Sequence, residues 1–327
     1  MRRITIDPDR TAAADIVRKL QFSPDGKLLG GVLGQPGWED VRAWRYDLDR
    51  DEPLPNPDDE DYVIERYIDA PDPVWSDDLE LLAEYLLDAS GHPGLRLVDL
   101  WSKPLEAAWL MTGGEFVPTA FTFSRDGVDV YVASDNLEGR RITRWPVAHL
   151  LAGADPADAD AEDVVRTVEG NVTALAVGVS SHWLACGYDD NAVDLFDPTG
   201  ERRPRRLQPS HAAGGSPDTL VVGLHFSPRG EKLASVSWAN LTVWDIESGK
   251  LLLRSAPRVV TSAAFRPDGG LLAVTASGDV VFYDAACAVV RRLDFGVGPL
   301  HGVAVAADGL TAAVGAGGGQ VVIFDLD

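Results

Sequence analysis

The chain has 327 residues, of which 45% are hydrophobic and 24% are charged, so it can bury a large core and lacks the composition of a disordered protein. Its formal net charge of −22 at pH 7 argues against binding to nucleic acid or to anionic membrane surfaces, because both attract basic proteins.

No apolar run follows Arg2 and Arg3 or reaches the length of a bilayer span, so we expect no signal peptide and a cytoplasmic protein. Cys186 and Cys287 lie in apolar segments that we predict to be strands, which indicates reduced, buried thiols.

Taken in order, the chain repeats one pattern seven times. A short strand ends in a large apolar residue, a tight turn follows, and a strand rich in small residues runs back. The turns are of the Ser-Pro-Asp-Gly type, in which Pro presets φ, Asp bonds to its own backbone and Gly accepts a positive φ. The units recur every ~40–54 residues, and the shorter spacings match a four-stranded repeat. The residues that end the first strands are Phe22, Trp75, Phe123, Val177, Phe226, Phe265 and Val305.

The third strand of most units ends in an aromatic residue followed by an acid, as at Phe196-Asp197 and Trp244-Asp245. The sequence stops soon after such a strand, so the seventh unit lacks an outer strand. Residues 2–6 alternate as a strand would, and we predict that they supply the missing strand. A ring closed in this way removes two exposed sheet edges at once.

With the dipeptide Trp244-Asp245, this pattern resembles the WD-repeat (WD40) β-propellers, here with degenerate repeats of the bacterial type. The resemblance implies an all-β fold: a seven-bladed β-propeller of four-stranded antiparallel blades, forming a single domain over residues 1–327. In that family a hydrogen-bonded set of His, Ser or Thr, Asp and Trp ties the turns together. Asp190, Ser235 and Trp244 match this set by position, whereas the Gly-His that should begin each repeat is missing.

Two acidic loops, 47–61 and 155–163, raise the possibility of Ca²⁺ binding. An EF-type loop needs Gly at its sixth position, where this chain has Glu52 or Asp163, so solvated acidic loops are the favoured interpretation and a Ca²⁺-dependent binding module is an alternative. The histidines show no zinc-ligand spacing. His225 and His301 fall in predicted inner strands and could line an axial channel, although a satisfied structural histidine is more common.

No nucleophile motif such as GxSxG occurs, and no cysteine has a locally paired histidine. We therefore predict no enzyme, no catalytic residue, no cofactor and no metal. The enzymatic alternative is a propeller-type lactonase or hydrolase with an axial active site. Such an enzyme needs His, Arg or acids clustered on several inner strands, where this sequence has mostly Ala, Val, Leu and Phe.

Propellers of the family that the sequence resembles usually bind partners on the face with the connections between second and third strands, and at the channel mouth. Aromatic residues and Arg are enriched at interface hot spots. Trp38 and Trp238 fall in such turns, where packing against a neighbouring loop is the other interpretation. The predicted partner-binding residues are Trp38, His92, Asn136, Arg140, Tyr188, Asp189, Trp238 and Asp279. We expect a monomeric, non-enzymatic scaffold for a protein or peptide, with a basic patch on the partner as the complement to the acidic charge.

Overall fold

The structure is a computed structural model that describes residues 1–6, 12, 14–34, 41–54, 71–87, 93–100, 106–110, 117–136, 139–152, 162–165, 168–178, 182–209, 220–237, 240–256 and 259–327. These residues form seven four-stranded antiparallel sheets, the blades of a ring. The first strands of neighbouring blades contact one another around the axis at six of the seven boundaries. The prediction of an all-β, seven-bladed propeller is therefore confirmed.

The strands of the first four blades follow in chain order from the axis outward. Blade 1 contains β2 (Ile16–Phe22), β3 (Leu28–Gly34), β4 (Arg42–Asp47) and β5 (Glu52–Leu54). Blade 2 contains β6 (Val74–Trp75), β7 (Leu81–Leu87), β8 (Pro93–Asp99) and β9 (Glu106–Leu110). Blade 3 contains β10 (Val117–Phe123), β11 (Asp129–Asn136), β12 (Gly139–Pro146) and β13 (Glu162–Val165). Blade 4 contains β14 (Val172–Val177), β15 (Leu184–Tyr188), β16 (Val193–Phe196) and β17 (Arg205–Leu207).

The last blade takes its outer strand from the opposite end of the chain. Blade 5 contains β18 (Val221–Phe226), β19 (Lys232–Ser237), β20 (Leu241–Asp245) and β21 (Leu251–Arg254). Blade 6 contains β22 (Val260–Phe265), β23 (Leu271–Thr275), β24 (Asp279–Tyr283) and β25 (Val289–Asp294). Blade 7 contains β26 (Leu300–Val305), β27 (Thr311–Ala316), β28 (Gln320–Asp325) and β1 (Arg2–Thr5).

Ring closure follows the prediction closely. Strand β1 pairs antiparallel with β28, with Arg2 opposite Ile323 and Thr5 opposite Gln320. The strand covers four of the five predicted residues, and the amide of Ile6 still donates to the Gly319 carbonyl at 2.8 Å. Each of the seven residues that we predicted to end a first strand does so, because the turn chemistry that follows it is local and strong.

The turns after the first strands share one hydrogen-bond scheme. In blade 1 the Ser23 hydroxyl donates to Asp25 at 2.7 Å and accepts the Leu28 amide at 2.9 Å. Gly26 completes the turn at φ +73°, a conformation that side chains disfavour. The same serine-to-aspartate bond occurs at Ser76 and Ser124, so the repeated motif specifies the same reversal in three blades.

The core is divided among the boundaries between blades. Seven apolar clusters occur among the described residues, one at each boundary around the ring. Glycines on the second strands let the blades approach: a methyl group on Gly187 would lie 2.5 Å from Val221 Cγ1 of the next blade. No blade has a core of its own, so each is stabilised by its two neighbours.

Cys186 is buried in β15, as predicted, but Cys287 lies in the turn between β24 and β25 at φ +64°, because an Asp284 hydrogen-bond network closes a turn there. Helix α1 (Val147–Leu151) buries Val147 and Leu150 against blades 2 and 3. Within the described residues, no helix has both the length and the apolarity to cross a membrane.

Candidate functional site

The connections between second and third strands lie at one end of the ring, together with the connections between blades. We call this end the turn face. Its second-to-third connections are 35–41, 88–92, 137–138, 189–192, 238–240, 276–278 and 317–319. Because the blades share one strand direction, residues far apart in sequence meet on this face.

Three of the predicted contact residues are described there with their side chains. Arg140 Nε donates to Asp135 Oδ2 at 3.0 Å across the turn between β11 and β12. Asp189 accepts a hydrogen bond from Asn171 Nδ2 at 2.7 Å. Asp279 accepts from the Ser277 hydroxyl at 2.8 Å. Each lies in a different blade, so together they form a charged fringe on the turn face, whose role in binding stays a prediction.

The other predicted contacts are less completely described. Trp38, His92 and Trp238 lie outside the described residues. Asn136 is the last residue of β11, and only its backbone is described. Their roles in binding stay predictions.

Among the predicted contacts whose side chains the structure describes, Tyr188 is the one whose position differs from the expectation of an exposed turn residue. It ends strand β15 and is only 1% exposed. The Arg206 guanidinium covers its ring at 5.5 Å from the centroid, and Gly170 packs on the other part of the ring. Burial raises the pKa of Tyr188, with the neighbouring Cys186 and Asp194 acting in the same direction. The ring is therefore part of the core of blades 3 and 4.

The polar set expected from the family is replaced by other contacts. The buried Ser235 hydroxyl has no partner within the described part of the chain, so it does not bond to Trp244. Asp190 accepts from the Ala192 amide at 3.0 Å and from Arg206 at 3.1 Å. Two threonines at strand bulges tie neighbouring blades instead. Thr173 donates to the Val221 carbonyl at 2.8 Å, and Thr261 donates to the Leu300 carbonyl at 2.6 Å.

A second feature lies on the axis, where the inner strands leave a channel. Lys19 occupies a bulge of β2 at φ +53°, and its Nζ donates to the Val222 carbonyl of β18 at 3.2 Å. Blades 1 and 5 are not neighbours, so the lysine side chain spans the channel. Beside it, Arg18 pairs with Asp72 at 2.9 Å, and both side chains are 17% exposed. We call Arg18, Lys19, Asp72, His225 and His301 the axial cluster.

Electrostatics show that these groups share one environment. Burial lowers the pKa of Lys19, while Asp72 raises it in part. Burial also lowers the pKa of His225 to about 4, and the positive charge of Lys19 adds to the effect. The pKa of His301 is lowered by burial and by Arg18. The Lys19 side chain itself is exposed to solvent. Both imidazoles are therefore neutral near pH 7.

Sequence reasoning found the two histidines of this cluster but not the other three residues. The signal was present in β2, where Arg18 and Lys19 interrupt a mostly apolar inner strand. Asp72 precedes β6, a two-residue strand whose start the sequence does not define. The axial cluster thus departs from the expectation that inner strands carry mostly apolar residues.

The acidic loops are described only in part. Asp47 accepts the amides of Asp49 and Arg50 at 3.0 and 2.9 Å, and Asp51 pairs with Arg2. Residues 55–61 and 155–161 lie outside the described residues. Across the described ranges, no group of three or more His, Cys, Asp or Glu side chains could hold a metal ion.

Seven four-stranded antiparallel blades in a closed ring define the chain as a β-propeller. Residues 162–197 match the family model of the WD domain, G-beta repeat. The match begins at outer strand β13 of blade 3 and ends after the three inner strands of blade 4. The repeat match and the seven-bladed ring together support a WD40-repeat propeller. No curated protein matches the chain.

Proposed function

We propose that this chain is a non-enzymatic interaction platform that binds a protein or peptide on the turn face. The observation that carries the proposal is the charged fringe of that face on a rigid frame. Arg140, Asp189 and Asp279 are each held by a neighbouring side chain within 3.0 Å. Side chains fixed before binding lose little conformational entropy when a partner docks, which favours affinity. WD40 propellers are commonly protein-interaction scaffolds and typically non-enzymatic, which also supports the proposal.

The partner that we propose carries a basic patch, which would complement the net charge of −22. Aromatic contacts from Trp38 and Trp238 would add the apolar part of the interface. We propose that the chain acts as a monomer in the cytoplasm.

The lactonase or hydrolase alternative receives less support. The axial cluster contains one acid, Asp72, and that acid is already paired with Arg18. An axial hydrolase of the expected kind needs acids or histidines that are available to activate water or to hold a metal. The arrangement of neutral histidines beside two cations favours binding over proton transfer.

The test is affinity capture from source lysate at about 0.1 M and about 1 M salt, which shortens the screening length from ~10 to ~3 Å. Wild type is compared with a Trp38→Ala/Trp238→Ala double variant and with an Arg140→Ala/Asp279→Ala double variant. The matched control is Val289→Thr/Val290→Thr, which changes two exposed side chains on the outer strand of blade 6.

We expect one protein to be retained by wild type and by the control, and lost from either turn-face variant. Release at high salt would add support for a basic partner. A protein retained equally by all four forms would contradict a binding site on the turn face, and retention of nothing at either salt would contradict the platform itself.

A further inference from the structure

The axial cluster carries a positive charge that the described part of the protein does not balance. Arg18 and Lys19 contribute two cations, and Asp72 is the only acid paired with them there. His225 and His301 are neutral near pH 7, because burial lowers the pKa of both. A single net positive charge therefore lies on the axis of a chain whose net charge is −22. An unbalanced positive charge favours the binding of an anion.

The cluster also has hydrogen-bond donors to offer. The bond from Lys19 to the Val222 carbonyl uses one of three ammonium protons, and no second acceptor for this group occurs in the described ranges. Arg18 Nε is buried and has no partner among the same residues. Each neutral imidazole supplies one further N–H. These donors come from β2, β18 and β26, which belong to blades 1, 5 and 7.

The His225 imidazole packs closely against the backbone of its own strand. Gly223, two residues earlier on β18, has no side chain, and a methyl group there would lie 3.2 Å from His225 Nε2. The bulge that places Lys19 at a positive φ points its side chain across the channel to the same strand. A non-glycine residue pays a conformational cost at such a φ, and such strain is concentrated at functional sites.

We propose that the axial cluster is a binding site for a small oxyanion, a carboxylate or a phosphate group, held by Lys19 and His225 with Arg18 and His301 beside them. The site does not depend on the partner-binding role of the turn face. The acidic exterior repels a polyanion or an acidic protein more strongly than a small anion, so a small ligand is favoured. Carboxylate and phosphate oxygens accept charge-assisted hydrogen bonds from ammonium and guanidinium groups, so both fit the donor set.

The experiment follows wild-type imidazole signals by NMR during titration with sodium acetate, inorganic phosphate or sodium chloride at equal ionic strength and fixed pH. We expect saturable shifts of His225 and His301 with acetate, with phosphate or with both, while the exposed His149 and His182 stay unchanged. Acetate alone would assign a carboxylate, and phosphate alone would assign a phosphate ligand. Shifts no larger than those in chloride would overturn the proposal.

Variants locate the site. Lys19→Met removes the ammonium and retains a side chain of similar length, and we expect the dissociation constant of the bound anion to rise at least tenfold. The matched control is Lys27→Met, which removes an exposed lysine from a turn and should keep wild-type affinity. Thermal melting separates specific anion binding from general stabilisation by salt. Non-specific stabilisation by kosmotropic anions raises the melting temperatures of Lys19→Met and Lys27→Met by the same amount. Wild-type affinity in Lys19→Met would refute the assignment. If that variant fails to fold, His225→Gln with the same titration decides, and unchanged affinity there would also refute it.

Discussion

Gly315 lies on β27 where blade 7 meets blade 1, and its replacement by alanine tests how the ring closes. A methyl group at this position would lie 2.5 Å from the Val17 carbonyl oxygen and 2.7 Å from Val17 Cγ1. Such distances are well inside van der Waals contact. The first obstacle is the backbone of β2, so relief requires that one strand move away from the other.

The expected cost follows from two opposing effects. Overpacking of a well-filled core costs about 1–3 kcal/mol, and a clash with backbone belongs at the upper end. Alanine also restricts the conformations of the unfolded chain, which raises the free energy of unfolding by roughly 0.4–1 kcal/mol. This gain applies because the φ of Gly315 is not in the left-handed region. We therefore expect Gly315→Ala to lower the free energy of unfolding by about 2–2.6 kcal/mol.

The matched control is Gly30→Ala on β3, the corresponding second strand of blade 1. Its nearest obstacle is Leu79 Cδ2 at 2.9 Å, the end of a flexible side chain that can rotate away. We expect a change of less than about 1 kcal/mol there. Urea unfolding of both variants, followed by tryptophan fluorescence and far-UV circular dichroism, gives the comparison. A Gly315→Ala protein as stable as wild type, or a larger loss in Gly30→Ala, would refute this account of the blade boundary.

Three further predictions concern buried polar groups. The pKa of histidine is near 6.5 in the unfolded chain and about 4 for His225 in the folded protein, so the free energy of unfolding should be full above about pH 6.5 and fall by at most about 3 kcal/mol toward pH 4. Urea titrations at several pH values measure this dependence, and His225→Gln should weaken it. An unchanged pH dependence in the variant would exclude His225 as its source. Thr261→Val removes the bond to the Leu300 carbonyl and should cost about 1 kcal/mol by the same assay, whereas no loss would show that this tie contributes nothing. Glu84→Gln removes the carboxylate that pairs with the buried Arg96, and melting should reveal a loss of about 3–5 kcal/mol. A near-neutral change would show that this ion pair contributes little to stability.

The sequence predicts those parts of the fold that local chemistry decides. The Ser23 turn is fixed by Ser, Asp and Gly within four residues, and the same chemistry marks the first-strand ends of other blades. Closure by β1 was predictable because an alternating strand and an incomplete blade are both visible in the sequence. The short strand β6 shows the limit, since two residues carry no readable periodicity, although blade 2 is complete.

The candidate sites depend on contacts that no local pattern encodes. Tyr188 looks like a turn residue, but Arg206 folds back over it from the outer strand of the same blade. Lys19 and Val222 meet only because the ring brings blades 1 and 5 to opposite sides of one narrow channel. Positions of this kind follow from ring geometry, and the sequence indicates them only as polar residues in strands that should be apolar.

The pairing of β1 with β28 also has a consequence for how the molecule folds. The two strands are separated by nearly the whole chain, so their contact has a very high sequence separation and a large loop-closure entropy. The boundary between blades 7 and 1, with Val17 and Ile323 in one apolar cluster, forms only when that loop closes. Until then β28 presents an unpaired edge, which is a template for pairing with another chain. Folding of this propeller is therefore expected to be slow at its last step. At high protein concentration, molecules whose ring has not yet closed are expected to exchange strands with one another.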